Sequence, residues 1–266
     1  MRFEDFEYDG KQLSDLGYMV CEFSSNGINV IKGANINLNT VSNSYGTKNY
    51  LVNSKYDNVL EDTFQICKNT CNNDNMELDI NEQRALARWL NRKNYHKFKY
   101  LTYDYLDFYF EATFNISYIE RGGKIYGLEL EMVTNKPFAL SKEKDYKLEI
   151  LDSNQTIVLI DESDDEGCIC PHMRITIGDI DGDFKISNTV GDKTDTMIIK
   201  NCTAGEEIVV DYPIIYSSVL SHKIQNDFNW KFFGISNTNN NRVNKITVSL
   251  PCTIEMGYSP AVKLGL

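Results

Sequence analysis

Asp179-Ile180-Asp181-Gly182-Asp183 sets three carboxylates at alternate positions, a spacing that calcium loops use. An EF-hand loop also needs glycine at its sixth position and a bidentate glutamate at its twelfth. Phe184 and Val190 stand there instead. Asp-Gly between the apolar Ile177 and Phe184 is a two-residue hairpin signal, so the spacing predicts a hairpin here. Cys168-Ile169-Cys170-Pro171-His172 and the pair Cys67 and Cys71 carry metal-ligand types, but structural zinc needs two paired ligand sets, and neither cluster has a second half. The expectation is no metal and no cofactor, with cysteines packed in strands as small hydrophobes. Nucleophile and phosphate signatures are missing: there is no Gly-x-Ser-x-Gly, no Gly-x4-Gly-Lys and no His-Glu-x-x-His. His96, His172 and His222 sit in unrelated contexts. Carboxylate pairs for glycoside hydrolysis are defined by distance in space, which a sequence does not display. No catalytic residue is predicted, and the chain reads as a non-enzyme.

The best charge pattern is a basic stripe, Arg84, Arg88 and Arg92, continued by Lys93, Lys97 and Lys99. Its carrier is a helix opened by Asp79-Ile80-Asn81-Glu82, an acidic N-cap with a carboxylate three residues on. Ile80, Ala87 and Leu90, with Leu86 and Trp89 beside them, make the apolar face, and the arginines recur at four-residue steps on another. Three uses fit the stripe: a solvated face favoured by the helix dipole, an acidic protein surface, or DNA. Sequence-independent DNA binding needs a wider basic surface than this one. Two strand-like runs follow, Tyr105 to Ile119 and Lys124 to Val133, joined at Arg121-Gly122-Gly123, where glycine tolerates the positive φ of a tight turn.

Around this unit the chain divides into two parts of different class. Residues 1–140 are mixed: Phe6 and Tyr8, a turn at Asp9-Gly10, a run from Leu13 to Phe23, and alternation in Ala34, Ile36 and Leu38. A polar, weakly patterned stretch from Thr40 to Lys55 reads as an arm or loop, with Tyr45 to Lys55 the part most suited to reach a neighbour. Asn135-Lys136-Pro137 breaks the rhythm, because proline disfavours helix before it and cannot donate to a ladder. Residues 141–266 then read as short strands separated by turns, the spacing of a β-sandwich, with Trp230 to Phe233 among the strands. The predicted fold is α+β, mainly β.

The chain has 266 residues and a formal net charge of −11. Neither part carries the positive balance of a nucleic-acid binder. No apolar run approaches the ~20 residues that cross a bilayer, and the acidic start Met1 to Asp5 is unlike a signal peptide. Seven cysteines, an odd number, fit free thiols made in a reducing cytoplasm.

Several stretches taken in order carry a family likeness. Phe3 to Tyr18 has an aromatic start, then Asp9-Gly10-Lys11 and Leu16-Gly17-Tyr18. Leu78 to Leu101 contains Glu82-Gln83-Arg84-Ala85-Leu86-Ala87-Arg88-Trp89-Leu90. Phe114-Asn115-Ile116-Ser117 leads through Gly122-Gly123 to Pro137-Phe138-Ala139. Gly205-Glu206-Glu207-Ile208 and Asn226-Asp227-Phe228-Asn229-Trp230 complete it. In these the chain resembles the distal tail proteins of long-tailed phages that infect Gram-positive bacteria. The resemblance implies an N-terminal belt domain over 1–140 that closes into a hexameric ring, and a C-terminal galectin-like β-sandwich over 141–266. It implies a hub at the virion tail tip, assembled in the bacterial host cytoplasm. The expected partners are further copies of the chain, the tail tube protein, a tail-associated lysin or tail-fibre hub, and other baseplate proteins. DNA passes through such a ring without specific binding. Expected interface residues are Arg84, Arg88, Arg92, Arg121, Gly122 and Gly123. The alternative is a carbohydrate-binding module that uses Trp230, Tyr212 and Tyr216 of the second domain in host adhesion.

Overall fold

A computed structural model describes residues 3–23, 36–42, 46, 48–56, 60–71, 73–238 and 240–264; Ala34 and Tyr45, singled out above, lie outside them. The chain divides into two compact units, one of residues 1–140 with 263–266 and one of residues 141–262. The first carries strands β1 (Phe6–Tyr8), β2 (Lys11–Gln12), β3 (Tyr18–Cys21), β4 (Ile36–Ser42), β5 (Asn49–Tyr56), β6 (Glu61–Lys68), β7 (His96–Tyr100), β8 (Phe108–Arg121), β9 (Lys124–Thr134) and β10 (Ala139–Ser141), with helix α1 (Ile80–Leu90) between β6 and β7. Seven of them form an antiparallel sheet in the order β2-β1-β7-β8-β9-β6-β3.

Alternation decides what this sheet buries. Phe6 and Tyr8 of β1, Phe98 and Tyr100 of β7, Phe110 and Phe114 of β8, and Leu128, Leu130 and Met132 of β9 are all buried. They share one core with Leu86, Trp89 and Leu90 of α1. The Trp89 ring stacks on Phe6 at 5.9 Å, and its indole N–H donates to the Tyr8 carbonyl at 3.0 Å, so the helix is fastened by packing and by a satisfied polar tip. The capping box is present: Asp79 accepts from the Asn81 and Glu82 N–H groups, and Glu82 accepts from the Asp79 N–H. Asp79→Ala removes the acceptor of two of those hydrogen bonds and should cost about 1 kcal/mol, read by chemical denaturation. Ile80 departs from the expected apolar face, being 66% exposed. It is the first helical residue, and the face that packs on the sheet runs through Leu86, Trp89 and Leu90 instead.

The second unit holds β11 (Lys144–Ile150), β12 (Gln155–Ile160), β13 (Gly167–Ile169), β14 (His172–Ile177), β15 (Gly182–Val190), β16 (Lys193–Cys202), β17 (Glu207–Asp211), β18 (Ile214–Ser217), β19 (Ile235–Asn237), β20 (Val243–Val248), β21 (Cys252–Tyr258) and β22 (Ala261–Val262), with one short helix, α2 (Ile224–Asp227). Two sheets, β11-β21-β14-β17-β18 and β12-β20-β15-β16, stand beside a small β13-β19 pair. Met173, Ile175, Ile208, Val210, Ile254 and Met256 of the first sheet share a core with Phe184, Ile186, Met197, Ile199, Ile246 and Val248 of the second. This is a β-sandwich, each sheet contributing alternate residues to the interior. The fold is mainly β with few helices, as the sequence predicts.

Two local expectations fail. The Asp181-Gly182 hairpin does not form, because β14 pairs with β17 and β21 while β15 pairs with β16 and β20. The acidic segment therefore crosses from one sheet to the other. Its carboxylates accept backbone N–H groups: Asp181 from Ala204 at 2.7 Å and Asp183 from Asn201 at 3.2 Å. The hairpin lies farther on, where Val190 faces Lys193 and Gly191 takes φ +60°. Trp230 to Phe233 forms no strand, since Asn229 and Trp230 turn the chain out of the ladder, with Trp230 at φ +56°.

Glu206 anchors the β17–β18 end of the sandwich. It is 1% exposed, and it accepts from the Thr203 N–H at 2.9 Å, from the Ser217 hydroxyl and from His222. Burial pushes its carboxyl up, but the Ser217, Thr203 and His222 hydrogen bonds outweigh burial and hold it below the ordinary glutamate value. The far nitrogen of His222 lies 3.4 Å from Asp227 of α2, so the network joins the turn to the helix.

Candidate assembly interface

The basic stripe splits when placed on the structure. Arg84 and Arg88 are exposed on α1 and make no ion pair among the described residues. Arg92, just beyond the helix, lies 3.6 Å from Asp9, which also meets His96 at 3.2 Å. Lys97 sits over the Tyr109 ring at 4.1 Å. Two of the six stripe residues, Arg92 and Lys97, therefore have partners within their own unit. Arg84 and Arg88 present their charges to solvent.

Arg121, Gly122 and Gly123 form the tip of the β8–β9 hairpin and are exposed. Gly122 at φ +63° and Gly123 at φ +78° make the two-residue turn that an L side chain resists. Below the tip, the ladder shifts register between Ile119 and Glu120. Such a bulge increases local twist and re-aims the end of the strand. The tip is also tied down: Leu78 N–H donates to the Ile125 carbonyl at 2.8 Å, and Lys124 pairs with Glu77 at 2.5 Å. Leu78 directly precedes the Asp79 cap, so this hairpin end and the start of α1 form one continuous surface.

The larger feature joins the alternating run at Ile36 and Leu38 to the stretch from Thr40 to Lys55 that reads as a polar arm. Among the described residues β4 and β5 pair only with each other, as a two-stranded antiparallel ribbon outside the main sheet. Ile36, Leu38, Val41, Tyr50, Leu51 and Val52 are all more than half exposed on it. Cross-strand partners share a face, so Ile36, Leu38 and Leu51 lie together on one side while Val41 and Tyr50 occupy the other. The Tyr56 end is anchored by an edge contact with Phe138 at 6.3 Å. An isolated two-stranded ribbon is marginal in water, and an apolar one adds exposed hydrophobic area on both faces. Among the described residues the ribbon therefore exposes apolar side chains on both faces.

In the second unit Trp230, Tyr212 and Tyr216 are all more than half exposed. Trp230 packs against Phe228 at 5.6 Å, Phe228 against Phe232 at 5.0 Å, and Phe232 against Tyr212 at 5.1 Å. Trp230 and Tyr212 thus terminate one run of four rings. Tyr216 is apart from it, on β18 opposite Val209.

Comparison with known proteins decides the family. A family model described as the phage tail protein N-terminal domain matches residues 1–136, and one described as the phage tail C-terminal domain matches residues 138–258. The chain belongs to the phage tail proteins. Among solved structures it is similar to the Dit protein of phage SPP1, described as a paradigm of the hub adsorption apparatus in Gram-positive-infecting phages. That likeness has a TM-score of 0.66 and spans 97% of this chain and 99% of the other at 11% identity. The tail protein therefore has the distal tail protein fold. A search of curated proteins gives no match.

The tail protein's cysteines are all free, as expected, but not all act as small hydrophobes. Cys67, Cys202 and Cys252 are buried, whereas Cys71 and Cys168 are exposed. Cys67 of β6 is hydrogen-bonded to Cys21 of β3, and Cys168 to Cys170. The Cys170 contact brings the Cys168 thiol down to about 6, while sharing that bond pushes Cys170 up. His172 belongs to neither thiol pair and turns toward Glu143. No helix of the described residues is long and apolar enough to cross a membrane.

Proposed function

We propose that this tail protein is a hub of the phage tail tip, with the first unit of each chain joining its neighbours in a closed six-membered ring. The observation that carries the reading is the β4–β5 ribbon, six exposed apolar residues on strands that lack a sheet. A ring is built from heterologous contacts, in which one surface of a copy meets a different surface of the next. A protruding apolar ribbon supplies one such surface. The exposed Arg84 and Arg88 with the Arg121-Gly122-Gly123 tip supply a charged rim that sets register more than affinity. The likeness to the SPP1 hub protein supports the same role. In this account the ring links the tail tube to the distal adhesion or lysis proteins, and the sandwich offers docking surface outside the bore. Residues 1–140 act as the belt and 141–266 as the galectin-like domain. A photocrosslinking residue in place of Leu51 tests the contact. It should trap dimers and higher multiples of the chain, and monomer alone after irradiation of concentrated protein would contradict it.

A second reading, sugar binding by the sandwich, is favoured by one observation. Trp230 is 60% exposed and held at a positive φ. Strain of that kind in a bulky residue persists where the surroundings impose it, often at binding sites. On a glycan array, wild-type protein should then retain a saccharide that Trp230→Ala loses. Equal signal from both proteins, or silence from folded wild type, would remove the reading.

A further inference from the structure

Three side chains from two strands that are not neighbours converge on the outer face of the five-stranded sheet of the sandwich. Asp145 of β11 and His172 of β14 both lie opposite Gly257 of β21, which runs between them. Side chains two strands apart start about 10 Å from one another. Here the intervening position has no side chain, and the flanking groups lean over it. A Cβ on Gly257 would fall 2.5 Å from His172 Cε1 and 2.9 Å from both Asp145 Oδ1 and Glu143 Oε1. Glu143 joins from two residues before Asp145, on the same face. One ligand atom from each of the three lies within 4.8 Å of every other, and His172 Nδ1 is already 3.1 Å from Glu143 Oε1. A tetrahedral ion with ligands at ~2.0–2.1 Å has ligand–ligand edges of about 3.3 Å. The imidazole–carboxylate edge is in place, and a change of side-chain rotamer brings in Asp145.

We propose that Glu143, Asp145 and His172 form a divalent transition-metal site of the Zn²⁺ class. An imidazole with two carboxylates suits Zn²⁺ and its first-row neighbours, whereas Ca²⁺ and Mg²⁺ favour oxygen alone. Three protein ligands leave a position open to water or to a donor from another molecule. Asp145 and His172 line a depression of about 580 Å³ together with Glu255, Lys147 and Arg174. The Arg174 guanidinium is paired with Glu207 at 3.0 Å, which draws the nearest guanidinium toward β17. The ion would staple β11 to β14 across β21.

The chain's three histidines provide an internal control. Zn²⁺ is added to full-length protein whose thiols have been alkylated, and the imidazole resonances are followed by NMR. His172 should shift and saturate at one ion per chain while His96 and His222 stay in place. Glu143→Gln with Asp145→Asn should raise the apparent Kd at least tenfold with the folded spectrum preserved. A His172 signal unmoved by millimolar Zn²⁺, or a double variant with wild-type affinity, would overturn the proposal.

Discussion

Leu38→Asp combined with Leu51→Asp should abolish ring assembly while leaving the monomer folded. Both positions are more than half exposed in the single chain, so the substitutions create no cavity and strand no partner within it. In the assembly each side chain loses about 1.5–3 kcal/mol of burial, and each aspartate must also be desolvated against an apolar neighbour. A loss of about 3 kcal/mol per interface weakens it more than a hundredfold. Every ring contact contains the change, so the losses compound around the circle. Analytical ultracentrifugation should find monomer, with a thermal midpoint within about 2 °C of wild type. Intact rings in the double variant would remove the ribbon from the interface.

The second large effect is on stability. Glu206→Ala strips the partner from buried His222 and from the Ser217 hydroxyl, and loss of one member of a buried pair costs about 3–5 kcal/mol. The thermal midpoint of the sandwich should fall by about 10 °C or more. Because the folded Glu206 carboxyl sits below its unfolded value, its contribution is fully present above the ordinary glutamate range. It is lost as pH falls through the folded value. Wild type should therefore become acid-labile below roughly pH 4.5, and Glu206→Gln should flatten that slope while being less stable at neutral pH. An unchanged pH profile in Glu206→Gln would show that other groups carry the acid sensitivity.

What was readable in the sequence follows from how local each determinant is. The α1 cap, the Gly122-Gly123 turn and the buried alternation of Phe6, Tyr8, Phe98 and Tyr100 depend on neighbours within a few residues, and they are legible. In the β4–β5 ribbon the alternation of Ile36 and Leu38 reads as a strand, but Thr40 to Lys55, which includes β5, reads as a polar arm. A ribbon with no core to face shows no single apolar side, and the register shift between Asn39 and Thr40 breaks what alternation exists. Asp181-Gly182 has hairpin chemistry, but the sandwich pairs β14 and β15 with other strands, so tertiary pairing overrides the turn signal. Ile80 carries the right residue type at the first helical position, where the packed face has not yet begun. The group at Glu143, Asp145 and His172 depends on strand order alone, with Gly257 more than 80 residues from His172 supplying the gap. Trp230 reads both as part of a strand and as a candidate sugar contact, and its positive φ and exposure place it in a surface turn.

Closure of a ring by the first unit is the claim on which the rest depends, and light scattering coupled to size exclusion at several concentrations tests it most directly. The account predicts one discrete species whose mass is six times the 30.5 kDa chain and stays constant as concentration rises. Monomer at every concentration, or a mass that climbs without limit as in an open filament, would contradict it.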